Sequence, residues 1–118
     1  MDNLINIKGY SEYFITLEGI VYKRKKVNKK DVESTEYKYV KVNPYTEARY
    51  GFSKINLERD DKKRTTELLG TLAYKSFHPN EESFGEIVYI DEDKANCSIE
   101  NLVSVKTLIE VYKTSLNK

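Results

Sequence analysis

The residues able to do chemistry fall in three places. Lys23, Arg24, Lys25, Lys26, Lys29 and Lys30 crowd six cations into one short stretch, and clustered cations are what a phosphate backbone requires. Asp91, Glu92 and Asp93 set three carboxylates in one loop, where they can gather around a divalent ion or simply stay solvated. His78 and Cys97 are the single histidine and the single cysteine, too few for a zinc set or an internal disulfide. His78 therefore reads as a partly exposed residue at a helix end, and Cys97 as a small packed side chain.

Composition limits what these groups can serve. Twenty Lys+Arg against nineteen Asp+Glu leave a net charge of +1, so any nucleic-acid surface has to come from local clustering. Asp31, Glu33 and Glu36 follow the basic stretch and partly cancel it. Ten Tyr, four Phe and no Trp suit half-buried strands, because a phenol offers apolar area and a hydroxyl together. The lone cysteine, the absence of a membrane-length apolar run and an amino terminus without an apolar signal core point to a soluble cytoplasmic protein.

The elements that must position these groups follow from pattern. Tyr13–Thr16 and Ile20–Tyr22 form a hairpin about Gly19, where a tight turn needs positive φ. A polar connector runs from Lys25 to Thr35. Tyr37–Val42 alternates as a strand, Asn43-Pro44-Tyr45-Thr46 signals a turn, and Ala48–Leu57 is its expected partner strand with Gly51 at a bulge. Thr65 or Thr66 is the expected cap of a helix reaching Phe77 and ended by Pro79, with Leu68, Leu69, Leu72, Ala73 and Phe77 on one face. Gly70 inside it costs roughly 1 kcal/mol relative to Ala. Glu86–Asp91 and Leu102–Val105 read as short strands, and Thr107-Leu108-Ile109-Glu110 has capping-box spacing for a last helix. This order gives an α+β fold: 1–64 as antiparallel strands and 65–118 as a helix with a strand–loop–strand–helix unit, in one compact domain.

Three stretches carry a family resemblance. Ile7-Lys8-Gly9-Tyr10-Ser11-Glu12-Tyr13-Phe14-Ile15-Thr16, with Gly19-Ile20-Val21-Tyr22, resembles the amino-terminal motif of HNH homing endonucleases, "I-x-G-Y-E-x-x-Y-x-V-S-N-x-G-x-V". Leu72 to Asn80 is similar to "L-V-A-x-x-F-I-P-N", and Ile90 to Leu102 to "H-I-D-G-N-K-x-N-N-x-x-E-N-L". The likeness runs over about residues 5 to 112, in family order, and is poorest between Lys23 and Arg64.

The resemblance implies a ββα-metal unit, in which a His deprotonates the attacking water and one divalent ion stabilises the leaving oxygen. It places the general base at Tyr89, its neighbouring metal ligand at Val88, the loop-ordering Asn at Asn101 and the helix ligand near Glu110. An earlier family His falls at Gly70. Valine cannot bind a metal, and tyrosine, with a reference pKa of about 10, is a poor base at neutral pH. The expectation is a catalytically inactive relative, phage-encoded, with no metal or other cofactor, that occupies a partner: double-stranded DNA or a host protein. The alternative is a nicking endonuclease with an altered Tyr89/Glu110 site using Mg²⁺ or Mn²⁺, and a third reading is a decayed mobile element.

Overall fold

A computed structural model describes residues 4–27, 36–81 and 85–116. The fold is α+β. Nine short strands make three antiparallel sheets, and two helices complete the described part.

The first sheet has the order β1 (Ile5–Ile7), β2 (Tyr10–Ile15), β3 (Val21–Lys26), β4 (Tyr37–Val42). Gly9 takes φ +87° in the β1–β2 turn, and Asn6 Nδ2 donates to the carbonyls of Tyr10, Ser11 and Tyr13 across that bulged pair. The β2–β3 hairpin turns at Gly19, φ +83°, with Ile15 opposite Val21. Gly19 meets a second demand: any Cβ there would overlap the Cys97 carbonyl. The same turn is held to the carboxy-terminal half by the Ile99 amide, which donates to Leu17 O at 2.8 Å.

The basic stretch is not a connector in its first half. Lys23 to Lys26 belong to β3 and pair with β4 in register, Lys25 opposite Lys38 and Arg24 opposite Tyr39. Lys29 and Lys30, with Asp31 and Glu33, lie outside the described residues.

The second sheet has the order β5 (Tyr45–Thr46), β6 (Ser53–Glu58), β7 (Arg64–Leu68). The expected partner of Tyr37–Val42 therefore pairs elsewhere: residues 48–50 form a turn, Gly51 has φ +79°, and β6 joins β5 and β7 rather than β4. Arg64–Leu68 is a strand, not the first turn of a helix. Both threonines are β-branched, and their hydroxyls are held sideways, Thr65 Oγ1 2.8 Å from the Tyr10 hydroxyl and Thr66 donating to Asn56 Oδ1. The 64/65 division thus falls inside β7.

Helix α1 (Leu69–Phe77) starts after Leu68 with no side-chain cap, buries Leu69, Leu72, Ala73 and Tyr74, and ends before Pro79 with His78 stacked on Tyr74 at 4.2 Å. Its buried face packs with Ile15 and Val21 of the first sheet and Ile55 and Leu57 of the second, each no more than 1% exposed. The last unit is β8 (Ile87–Tyr89), a loop, one 3-10 turn (Ile99–Asn101), β9 (Leu102–Ser104) and α2 (Val105–Leu116). Ser104, not Thr107, caps α2: its Oγ accepts from the Thr107 amide at 3.0 Å and donates to Glu81. Glu81 also accepts from the Tyr74 hydroxyl, so one carboxylate ties α1 to the start of α2. No residue of α2 is buried. No described helix is long and apolar enough to cross a membrane.

Candidate functional site

Strands β8 and β9 pair Ile87 with Ser104, Val88 with Val103 and Tyr89 with Leu102. Side chains alternate along a strand, so Ile87 and Tyr89 turn towards the core while Val88 turns away; both of the former pack against the core cluster. The Tyr89 ring leans on α1 where Gly70 leaves the helix surface bare. A Cβ at Gly70 would overlap the Tyr89 hydroxyl and ring. On another side stands Phe52, its ring centroid 6.2 Å from that of Tyr89. Lys94 lies 4.5 Å over the Phe52 ring and donates to Tyr50 O, drawing the loop after β8 onto the β5–β6 turn.

This packing sets the chemistry of Tyr89. Burial, and then the nearby Cys97, push its hydroxyl up to about 12. A phenol held in this way keeps its proton at neutral pH. Burial likewise raises the Cys97 thiol to about 11, leaving it a protonated, packed side chain.

The loop from 90 to 98 is organised by Asn101. Its Oδ1 accepts from the Asp91 amide, and its Nδ2 donates to Asp91 Oδ1 and Asn96 O, all at 2.9 Å. Asp91 is further held by the Asn96 side chain and the Asp93 amide, and these bonds, Asn96 first, lower its pKa below the ordinary carboxylate value. The Asp91-Glu92-Asp93 carboxylates are therefore not a bare cluster: Asp91 and Asp93 both accept local loop hydrogen bonds.

Glu110 is exposed on α2 and is no part of a capping box. No hydrogen bond or ion pair joins it to Tyr89. The donor set does not fit the divalent ion of a ββα-metal unit. Val88 offers no ligand atom and Tyr89 holds its proton. An open cleft of about 780 Å³ lies instead beside β1 and α1, with Tyr10, Glu67, Leu72, Lys75 and His78 on its walls. None of Val88, Tyr89, Asn101 or Glu110 lines it.

The basic surface is more developed than the sequence alone conveyed. Strands β3 and β4 carry six cations, Lys23 to Lys26 with Lys38 and Lys41, and no carboxylate in their twelve residues. Lys25 stands directly opposite Lys38 on one face. Lys38 and Lys41 were missed because only the strand register places them beside the first cluster.

Three sheets around one helix, closed by a strand–loop–strand–helix unit clasped by an asparagine, make an HNH-like fold. A solved structure described as "DNA binding and cleavage by the HNH homing endonuclease I-HmuI" superposes with a TM-score of 0.66 at 22% identity, over 97% of this chain and 58% of that one. The chain thus spans a little over half the length of that endonuclease. No protein-family profile matches the sequence, and no curated protein does so significantly.

Proposed function

We infer that this protein binds DNA through its β3–β4 ribbon and has lost the hydrolysis associated with its fold. The observation that carries the binding half is the Lys25–Lys38 pair. Like charges directly opposite each other in a sheet destabilise it, and a polyanion laid along the strands removes that penalty. A two-stranded ribbon also matches the DNA major groove, about 12 Å wide. Six cations without an intervening carboxylate, Lys23, Lys25 and Lys38 on one face of the ribbon and Arg24, Lys26 and Lys41 on the other, offer the phosphate contacts that a net charge of +1 does not. The likeness to a DNA-cleaving HNH endonuclease supports the same partner. A host protein as partner gains no support from this charge pattern.

Loss of hydrolysis rests on Tyr89. Its ring is fixed between Gly70 and Phe52 with a strongly held proton, and Val88 brings no ligand. Folding needs the Asn101 clasp and the packing of α1, both present; only cleavage needs a base and a metal. The test is binding of a labelled duplex across a salt series in EDTA and in Mg²⁺. Salt-sensitive binding that needs no metal, and so persists in EDTA, supports the reading, and no binding at low salt removes it.

A further inference from the structure

The two faces of the first sheet differ in kind. Tyr13, Ile15 and Val21 point into the core. On the other face the register sets Phe14 beside Tyr22 and Tyr22 beside Lys41, then Arg24 beside Tyr39, then Lys26 beside Tyr37. Four rings and three cations thus alternate across three strands, with Glu12 the one acid on that face of β2 and β3. None of these rings belongs to the core cluster. Tyr37 and Tyr39 are 42% and 39% exposed, aromatic surface that the core does not use.

The rings are held in place by one another and by arginine. Phe14 and Tyr39 meet edge to face at 5.6 Å, and the Arg24 guanidinium lies 4.6 Å over Tyr37 and 5.6 Å over Phe14. Planar cations and aromatic faces of this kind are the surfaces on which unstacked nucleobases lie, and a four-stranded sheet that presents them takes two or three bases. Spacing distinguishes single strands from duplex. Same-face residues on one strand, such as Tyr37 and Tyr39, repeat at about 7 Å, roughly twice the 3.4 Å rise of a stacked DNA strand. Bases that engage neighbouring rings are therefore unstacked from each other, which a paired duplex does not permit.

We propose that the outer face of the β1–β4 sheet binds unpaired nucleotides, stacking bases on Tyr39 and on the Arg24–Tyr37 stack while Lys41 meets the phosphates. The inference rests on the reading of the β3–β4 ribbon as a nucleic-acid element; the Lys25–Lys38 pair lies on the opposite face of that ribbon, and the aromatic face is the one assigned to the unpaired form. A protein partner is the less suited occupant, because three cations against one carboxylate match a polyanion.

The experiment is fluorescence anisotropy with a labelled mixed-sequence 20-nucleotide DNA, single-stranded and as its duplex, against the wild-type chain and Tyr39→Leu. Leucine keeps apolar bulk and removes the π face; Tyr37→Leu, on the exposed β4, is the second variant if Tyr39→Leu does not fold. The single strand is expected to bind more tightly than the duplex. Each ring variant should weaken single-strand binding by about 5- to 150-fold and leave duplex binding unchanged. Duplex binding as tight as single-strand binding, or ring variants without effect on the single strand, would overturn the proposal and leave the duplex reading standing. Absence of binding to either form would remove both.

Discussion

The Tyr89 hydroxyl occupies the space that a side chain at Gly70 would fill. The two positions act as one unit: the tyrosine fits only because the helix presents a glycine, and the glycine is tolerated in α1 because the ring covers it.

Gly70→Ala should accordingly run against the usual trend. In an open helix this change is stabilising by roughly 1 kcal/mol; here it is expected to destabilise by about 1–3 kcal/mol, the ordinary cost of overpacking. Combined with Tyr89→Ala, which removes the obstructing ring, it should cost less than the sum of the two single changes. Urea denaturation of the four proteins measures this. A stabilised Gly70→Ala single variant would show that the two positions are independent.

Lys38→Glu separates stability from binding. It turns the like-charge pair with Lys25 into an opposite-charge pair and is expected to raise stability by about 0.2–1 kcal/mol. The same change should weaken duplex binding and flatten its salt dependence, since each neutralised phosphate contributes roughly 0.9 to the slope. Thermal melts and a salt series on one preparation read both. An unchanged slope would take Lys38 out of the footprint.

Asn101 is expected to be a stability residue. Removing its side chain leaves the Asp91 amide and the Asn96 carbonyl without their partner, and Asn101→Ala should cost on the order of 2–3 kcal/mol. Hydrogen exchange should localise the loss, with the Asp91 amide losing protection before the amides of α1. Uniform loss across the chain would point to a wider role.

The Tyr89 shift implies an alkaline limit. Its folded pKa of about 12 exceeds the ordinary 10.0, so between these values the unfolded chain has released a proton that the folded chain keeps. The stabilisation is fully present below pH 10 and is lost as pH rises towards 12. Tyr89→Phe removes this contribution, and its stability should fall less steeply than wild type over that window. Ultraviolet titration of the folded protein should show a phenol that ionises only above pH 10 and is absent from Tyr89→Phe. Equal slopes for the two proteins would mean that Tyr89 ionises freely.

Much of the fold was legible because local chemistry and tertiary structure agree. Gly19 marks a turn that a neighbouring carbonyl also requires, and Pro79 ends α1 where the chain must leave. Where local pattern and pairing compete, the sequence misleads. Leu68, Leu69, Leu72 and Ala73 repeat as a helix face, so Arg64–Leu68 reads as a helix start, yet Thr65 and Thr66 are drawn into a strand beside β6. The Thr107 and Glu110 spacing imitates a capping box, while the operative cap is Ser104, whose hydroxyl is also claimed by Glu81. The contacts that define the candidate site were hidden for another reason. Gly70 with Tyr89, and Lys25 with Lys38, meet only through the folding of separate elements, and neither residue of a pair announces the other.

An HNH-like fold that holds DNA without cutting it leaves a bound plasmid intact. Incubation of supercoiled plasmid with the protein in Mg²⁺ and in Mn²⁺, at concentrations where a gel shift shows the DNA bound, tests it most directly. The expected result is bound plasmid that remains supercoiled after deproteinisation, for wild type and Tyr89→Phe alike. Metal-dependent conversion to open circles, abolished by Tyr89→Phe, would contradict the account and make Tyr89 part of a working nuclease site.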